Sequence, residues 1–257
     1  MKTLSIQNQQ GSLILTLDRG KANAIDPVMV REIRECLVQF KNDPDVKGVL
    51  ITGNSSFFSA GVDLPTVCSL PDQEQRNFWR DFIRMAAELL IFPKPVISAI
   101  SGYSPAGGCI IACCSDFRNM AKHPKFQIGL NEIAVGIAPR ASILDLYASC
   151  ISRKLAYQYL LQGKLMSGEE AYQIGLIDSL IEPEVLIEQS LDQLQQLQKL
   201  PPIAFARTKV SMRHELHERL TSTIDKDLDT LMEQIFSEEC RSIMSAIIKQ
   251  LTEKNSN

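Results

Sequence analysis

The 257-residue sequence has no dense run of lysine and arginine, and its formal net charge is -3. Domains that bind nucleic acids usually concentrate basic residues on one face, so we expect no nucleic-acid partner. The sequence also lacks an apolar stretch of the roughly 18–20 residues that a membrane-spanning helix needs. We therefore expect no membrane segment.

The first residues, "MKTLSIQNQQ", contain neither the apolar core of a signal peptide nor an Arg-rich amphipathic presequence. Such segments direct proteins to secretion or to organelles. We therefore expect a cytoplasmic location, although a presequence that had already been removed would leave no trace.

The sequence has no CxxC pair and only three histidines, two of which, His214 and His217, lie in one charged segment. The seven cysteines are scattered without zinc-type spacing, at positions 36, 68, 109, 113, 114, 150 and 240. This pattern favours reduced, mostly buried thiols that pack as small apolar side chains. We expect no metal site.

Three common catalytic signatures are also absent. No loop matches GxGxxG with a following acidic residue, and no GKS or GKT phosphate loop is present. The GxSxG elbow of the α/β-hydrolases is missing as well. These absences argue against a dinucleotide-binding domain, a P-loop nucleotidase and a serine hydrolase of that class.

The first half of the chain alternates predicted strands and helices. "LSIQN" and "LILTLD" predict a hairpin, and Asp26 with Pro27 marks the start of an amphipathic helix. Buried strands are predicted at 48–53 and 95–102, with a helix at 72–92 between them. Each of these strands runs into a glycine-bearing loop, "NSSFFSAGVDL" and "YSPAGGC". The alternation predicts an α/β fold.

From about Ala141 onward the pattern is mainly helical, with a capping box in "SGEE" at 167–170. "PP" at 201–202 interrupts the chain. We therefore divide it into a core with the active site over 1–200 and a helical region over 201–257. That region packs either on its own domain or on a partner.

One carboxylate, Glu132, stands in the apolar stretch "KFQIGLNEIAVGIAP" at 125–139, which reads like the inner wall of a core. Burying an ionised carboxylate is costly unless it is paired. Taken alone, Glu132 is more simply a solvated loop residue, and the glycine loops simply permit tight turns. Together they could remove a proton next to a carbonyl group: the carboxylate would take the proton, and the two backbone N–H donors would stabilise the enolate.

The motifs "GKANAID", "FFSAGVDL", "ISGYSPAGGC", "GLNEIAVGI" and "GEEAYQIGLID" resemble the crotonase, or enoyl-CoA hydratase/isomerase, superfamily. This resemblance implies a spiral of ββα units with a helical C-terminal region that builds trimers, sometimes paired into hexamers. "SPAGGC" and "GLNE" are most similar to the mitochondrial-type Δ3,Δ2-enoyl-CoA isomerases of fatty-acid β-oxidation. An acyl-CoA thioester would then be the substrate, with no separate cofactor.

The resemblance also implies roles for particular residues. The backbone N–H groups of Val62 and Gly107 would form an oxyanion hole, and Glu132 would be the catalytic base. Asn131 lies in the isomerase-type pocket, where a substrate contact and a turn-forming role are both open. The positions implied in substrate binding are Ser59, Ala60, Gly61, Val62, Asp63, Gly107 and Asn131.

One departure from the superfamily pattern bears on the reaction. Hydratases carry a second glutamate directly after the Gly-Gly-Cys, and this chain has Ile110 there. Holding a water molecule calls for two carboxylates, whereas moving a double bond needs one, so Ile110 favours an isomerase. The alternatives are a crotonase-fold lyase, either a hydratase or an acyl-CoA decarboxylase, and a non-catalytic protein that binds CoA or RNA.

Overall fold

The computed structural model describes residues 1–255, and it describes side chains up to residue 250 and at Glu253. The helical region predicted over 201–257 therefore ends with two residues, 256 and 257, that lie outside the described residues. The strands are β1 Leu4–Gln9, β2 Ser12–Leu17, β3 Gly48–Thr52, β4 Val96–Ile100, β5 Ser104–Pro105, β6 Phe117–Ala121, β7 Gln127–Gly129, β8 Met166–Ser167 and β9 Ser179–Ile181. The α-helices are α1 Pro27–Lys41, α2 Leu64–Cys68, α3 Asp72–Leu90, α4 Gly107–Cys114, α5 Ala141–Cys150, α6 Arg153–Gln162, α7 Gly168–Gln173, α8 Leu186–Gln198, α9 Pro202–Ser222, α10 Ile224–Ile235 and α11 Glu238–Asn255.

The predicted hairpin is confirmed, since β1 and β2 pair antiparallel from Leu4 opposite Leu17 to Gln9 opposite Ser12. The two turn residues, Gln10 and Gly11, both have positive φ, as a tight two-residue hairpin turn requires. The predicted helix start is confirmed as well. The Asp26 carboxylate accepts a 2.8 Å hydrogen bond from the Met29 N–H.

The main sheet has six strands in the order β1-β2-β3-β4-β6-β9, and every pair except β1-β2 is parallel. Its central strands β3 and β4 are buried along their whole length, as apolar strands covered on both faces should be. Alternate residues serve two cores. Val49 and Ile51 face the large core, and Leu50 faces a smaller core that contains Leu194 of α8.

Five of the strands, β5 to β9, were not predicted, and the mainly helical reading of the second half is wrong at β8 and β9. β9 has only three residues and completes the sheet by pairing Ser179 with Asn119 and Ile181 with Ala121. A three-residue segment is too short to show a readable periodicity. Its partner strand lies about 60 residues away in the sequence, so no local pattern predicts the pairing. β5, β7 and β8 form a separate three-stranded sheet.

The C-terminal helices pack against the rest of the same chain. α9 contacts α3 and α5, α10 contacts α3, and α11 contacts the 3₁₀ helix Glu132–Val135. Leu220, Leu228 and Met244 belong to the same hydrophobic core as the sheet. The boundary at residue 200 stays a prediction. No helix within residues 1–255 is long and apolar enough to cross a membrane.

Candidate active site

The loop that follows β3 lies along residues 22–26. The Gly61 carbonyl accepts a 2.8 Å hydrogen bond from the Ile25 N–H, and the Asp63 N–H donates to the Ile25 carbonyl at 2.9 Å. These bonds involve the residues on either side of Val62. The Val62 N–H itself finds no hydrogen-bond acceptor among residues 1–255, so it remains available to a ligand.

The buried residue Asn23 holds this loop in place through hydrogen bonds. Its side chain is fully buried and its φ is 47°, a left-handed conformation that asparagine tolerates better than most residues. The Nδ2 group donates to the Phe57 and Phe58 carbonyls at 3.1 and 3.3 Å. The Ser59 hydroxyl in turn donates to the Asn23 carbonyl at 2.8 Å. The sequence offered no signal for this role beyond a family-like "NAID".

Arg19 holds the same two segments together with ion pairs of 2.9 Å to Asp26 and 2.7 Å to Asp63. Burial raises the pKa of Asp63, but hydrogen bonds from Thr66 and Arg19 outweigh that effect and leave it below its usual value. Asp63 also caps α2 by accepting from the Thr66 N–H. The side chains of Ser59 and Asp63 thus have partners within the protein, and their substrate-binding role stays a prediction that concerns the backbone.

The second loop places the N-terminus of α4 against the first. The Gly107 N–H lies in the first turn of α4 and has no acceptor in the described part of the chain, as is usual for a helix start. Gly61 has a φ of 84°, and a Cβ atom there would lie 3.3 Å from the Gly107 nitrogen. The structure therefore brings the backbones of Gly61 and Gly107 into contact, and Val62 follows directly.

A hydrogen bond connects this second loop to the segment that carries Glu132. The Ala106 N–H donates to the Gly129 carbonyl at 2.8 Å, and β5 pairs with β7. Three residues beyond Gly129, Glu132 begins the 3₁₀ helix Glu132–Val135. Asn131 precedes this helix without a side-chain capping bond, and its contact with a substrate stays a prediction.

Glu132 is half-buried as a residue, but its Oε2 atom is fully buried and has no hydrogen-bond partner among the side chains and backbone groups that the structure describes. Burial raises the pKa of Glu132 to about 7, and a hydrogen bond from its own backbone lowers it slightly. No neighbouring charge contributes to this shift. A carboxylate in this state is suited to accept a proton near neutral pH.

The apolar stretch around Glu132 is an inner wall only in part. Ile128, Leu130 and Ile137 are buried, but Ile133 and Ala134 are exposed. The reason is the tight 3₁₀ turn, which directs some of its apolar side chains away from the core. The interpretation of the whole stretch as core was therefore wrong at these two residues and at Ala138, which follows the turn and is also exposed.

The C-terminal helix α11 covers this segment, which the sequence did not predict. The Cys240 thiol contacts the Val135 carbonyl at 3.6 Å, and Met244 contacts Cys68 of α2 at the same distance. α11 thus bridges the Glu132 segment and the short helix that follows Val62. All seven cysteines are free thiols and five of them are buried, as predicted.

A cavity of about 810 Å³ lies elsewhere, between α1 and α3, with Val30, Arg34 and Phe78 among its lining residues. It contains none of the predicted site residues. We place the candidate site at the two loops and Glu132 instead. The loops carry free backbone donors, and the segment hydrogen-bonded to the second loop carries a carboxylate with a raised pKa.

Comparison with known proteins agrees with this geometry. The sequence model of the enoyl-CoA hydratase/isomerase family matches residues 7–254. The chain belongs to this family. The predicted crotonase-like α/β fold is confirmed, because the crystal structure of human mitochondrial Δ3,Δ2-enoyl-CoA isomerase superimposes with a TM-score of 0.94 at 26% identity, covering 98% of this chain and 99% of that one.

Curated relatives in the family differ in their reactions. The chain is 27% identical to human mitochondrial enoyl-CoA delta isomerase 1 over 95% of its length and 81% of the relative. It is 26% identical to 2,3-dehydroadipyl-CoA hydratase of Escherichia coli over 98% of both chains. The protein is therefore an enzyme of the enoyl-CoA hydratase/isomerase family, whose substrates are acyl-CoA thioesters.

Proposed function

We propose that the protein is a Δ3,Δ2-enoyl-CoA isomerase. It would move the double bond of a 3-enoyl-CoA thioester to the trans-2 position, so that unsaturated acyl chains can enter β-oxidation. The thioester oxygen would accept hydrogen bonds from the Val62 and Gly107 N–H groups. Glu132 would remove a proton from C2 to give a dienolate and return it at C4, so that one carboxylate ends the cycle unchanged.

The state of Glu132 supports this proposal most directly. Its pKa is raised by burial, with no contribution from a second carboxylate or from a cation. Ile110, at the position of the second hydratase glutamate, is buried on α4 and supplies no polar group. A site with one carboxylate can shuttle a proton, but it has little with which to hold and activate a water molecule.

The proposal is tested by comparing two reactions of the same purified protein. We expect rapid conversion of 3-hexenoyl-CoA to the 2-enoyl product and slow hydration of crotonyl-CoA. A 3-dodecenoyl-CoA substrate would show in addition which acyl-chain length is preferred. Hydration that is as fast as isomerisation would contradict the proposal.

A second candidate function is hydration, since a hydratase is among the relatives that match over nearly the whole chain. The structure gives it less support because Ile110 is apolar.

We also propose, from the family resemblance, that the chain forms a homotrimer or a dimer of trimers. The cytoplasmic location stays a prediction.

A further inference from the structure

Gly108 is the second residue of α4 and has helical backbone geometry, so its conformation does not require glycine. The space around it does. A Cβ atom built on Gly108 would lie 2.6 Å from the Ser59 carbonyl oxygen, 2.9 Å from the Ser104 Oγ and 3.2 Å from the Ser59 Cβ. A Cβ atom and a carbonyl oxygen repel each other strongly at such a distance. α4 therefore contacts the first loop at a point where no side chain fits.

The Ser59 side of this contact is held firmly. Ser59 is fully buried, and its hydroxyl donates to the Asn23 carbonyl at 2.8 Å and accepts from the Gly61 N–H at 3.2 Å. The neighbouring Ala60 N–H donates to the Ala22 carbonyl at 2.9 Å. The Ser59 carbonyl cannot retreat from α4 without distorting the hydrogen bonds that hold the first loop.

The α4 side is held as well. The Ala106 N–H, two residues before Gly108, donates to the Gly129 carbonyl at 2.8 Å, and the Ile110 N–H donates to the Ala106 carbonyl at 2.9 Å. β5, which leads into α4, pairs with β7. An atom added at Gly108 would therefore push α4 and the first loop apart, since neither side has a flexible group that can yield.

This contact lies beside both of the proposed oxyanion donors. Gly107, whose N–H is one donor, directly precedes Gly108, and Val62, whose N–H is the other, follows Ser59 by three residues. Restoring an ordinary contact distance at Gly108 would move the two backbones apart by roughly 0.5–1 Å. Catalytic groups generally have to be held within about 0.5 Å of their productive positions. The displacement is therefore large enough to matter for the reaction.

Gly107 is crowded in a different way. The nearest atom to a Cβ built there is the end of the Ile25 side chain, at 3.0 Å, and the tip of the Phe82 ring follows at 3.5 Å. The end of a side chain can shift, whereas the Ser59 carbonyl is part of the backbone. The constraint on the spacing of the two loops is therefore concentrated at Gly108.

We propose that Gly108 is a positioning residue of the oxyanion hole. Its missing side chain lets α4 contact the Ser59 carbonyl, and this contact sets the spacing at which the Val62 and Gly107 N–H groups reach one thioester oxygen. The inference rests on the proposed function for the role of the two donors. Gly108 acts through its neighbours Gly107 and Ser59.

The test uses the full chain and a spectroscopic probe, 2,4-hexadienoyl-CoA, whose double bonds are already conjugated with the thioester. Hydrogen bonds to the thioester oxygen stabilise the negative charge that moves to this oxygen on excitation, so they shift the absorption of the bound probe to longer wavelength. We expect this shift in the wild type. Gly108→Ala keeps both N–H groups but should lose most of the shift.

Turnover of 3-hexenoyl-CoA gives a second readout. For Gly108→Ala, kcat should fall about 10- to 100-fold, as expected for misplaced donors. KM should stay within a few-fold, because both glycine loops and their N–H groups are still present. A loss confined to KM, or a wild-type kcat with a wild-type absorption shift, would overturn the inference.

Gly48→Ala is the matched control. Gly48 lies at the opposite end of β3 from the first loop, and a Cβ atom there would lie 2.8 Å from the end of the Leu194 side chain. This variant is crowded too, so its melting temperature should fall, but its kcat and its absorption shift should equal those of the wild type. If Gly48→Ala loses both to the same extent as Gly108→Ala, general destabilisation explains the effect and the inference is wrong.

Ser59→Ala perturbs the same contact from the other side and provides a test if Gly108→Ala does not fold. It removes the hydroxyl that anchors the Ser59 backbone to Asn23 but adds no atom. The first loop is then free to move relative to α4, so the absorption shift should decrease and kcat should fall several-fold. An unchanged shift in Ser59→Ala would contradict the proposed role of the contact.

The inference and the proposed function fail in distinguishable ways. The absorption shift is measured without turnover, so it does not depend on which reaction the enzyme catalyses. A wild type that isomerises 3-hexenoyl-CoA, with Gly108→Ala unchanged in shift and kcat, would keep the proposed function and lose the inference. A wild type that shifts the probe but does not isomerise, with the shift lost in Gly108→Ala, would lose only the isomerase assignment.

Discussion

The Ala106 N–H donates a 2.8 Å hydrogen bond to the carbonyl of Gly129, and this bond joins the two halves of the candidate site. Ala106 precedes the free N–H of Gly107, and Gly129 precedes the carboxylate of Glu132 by three residues. Ala106 has a φ of 46°, which is unusual for a residue with a side chain. This unusual backbone conformation lies between the Gly107 donor and the segment that carries the Glu132 base. Such conformations are common at functional sites.

The raised pKa of Glu132 predicts the pH dependence of the reaction. Only the ionised carboxylate can accept the C2 proton, so kcat/KM should be low in acid and rise as the pH passes through about 7. The measurement is kcat/KM for 3-hexenoyl-CoA between pH 5 and 9. A rise centred near the ordinary glutamate value of 4.5 would show that burial does not govern this group.

Glu132→Gln should lower isomerase turnover by about 10²–10⁴, the usual effect of removing a positioned acid–base group. Glutamine is nearly isosteric, so folding and CoA binding should persist. Glu169→Gln is the matched control, because Glu169 is an exposed glutamate at the start of α7. Near wild-type turnover of purified Glu132→Gln would place the base elsewhere.

The same substitution should change stability in a pH-dependent way. A carboxyl group whose pKa is raised by folding favours the folded state at low pH, and this contribution is lost as the pH rises through about 7. Glutamine carries no charge at any pH. At pH 8 the free energy of unfolding of Glu132→Gln should therefore exceed that of wild type by about 1–3 kcal/mol after allowance for partial exposure, and its melting temperature should be higher. Thermal unfolding at pH 5 and pH 8 checks this, since the advantage should shrink at pH 5.

Gly107→Pro should test the second oxyanion donor. Proline has no N–H, and position 107 is the first residue of α4, where proline is compatible with a helix. Turnover should fall by about 10²–10³. Gly107→Ala is the control because it adds a Cβ atom, 3.0 Å from the end of the Ile25 side chain, but keeps the N–H. If both variants lose activity equally, crowding rather than the lost donor is responsible.

Asn23→Ala should destabilise the protein by about 2–3 kcal/mol. It removes the Nδ2 donor to the buried Phe58 carbonyl, leaves the Phe57 carbonyl with the Asn54 N–H alone, and places alanine at positive φ. The loop that carries the Val62 N–H should loosen, and kcat should fall about 10-fold or more. Asn77→Ala, at an exposed position on α3, is the control. Equal melting temperatures for the two variants would mean that Asn23 does not hold the loop.

The sequence predicted the elements whose local signals were strong. Asp26 and Pro27 marked a helix start, and the apolar runs at β3 and β4 indicated strands covered on both faces. Val62, Gly107 and Glu132 were identified because each lies in a motif that resembles a family, not because local chemistry singled them out. The segments that carry them are joined by hydrogen bonds between distant loops, which no local pattern reveals.

The features that the sequence did not reveal depend on contacts between distant segments. Asn23 reaches residues more than 30 positions away, and Arg140 meets Asp227 87 positions away. β9 is defined by its pairing with β6 alone. Ile133 was predicted to be a core residue, because the sequence does not show whether an apolar side chain on a short turn faces the core or the solvent.

Assembly is the last prediction, and it concerns the outer flank of α9. Ile203 and Val210 lie seven residues apart, on one side of this helix, and are 69% and 40% exposed in the single chain. Exposed apolar residues on one helix flank often mark contacts between chains. We expect light scattering to give about three times the 28.7 kDa mass of the chain at micromolar concentration. Ile203→Glu should shift the protein towards monomers and Ile203→Leu should not, whereas a monomeric wild type would contradict the trimer itself.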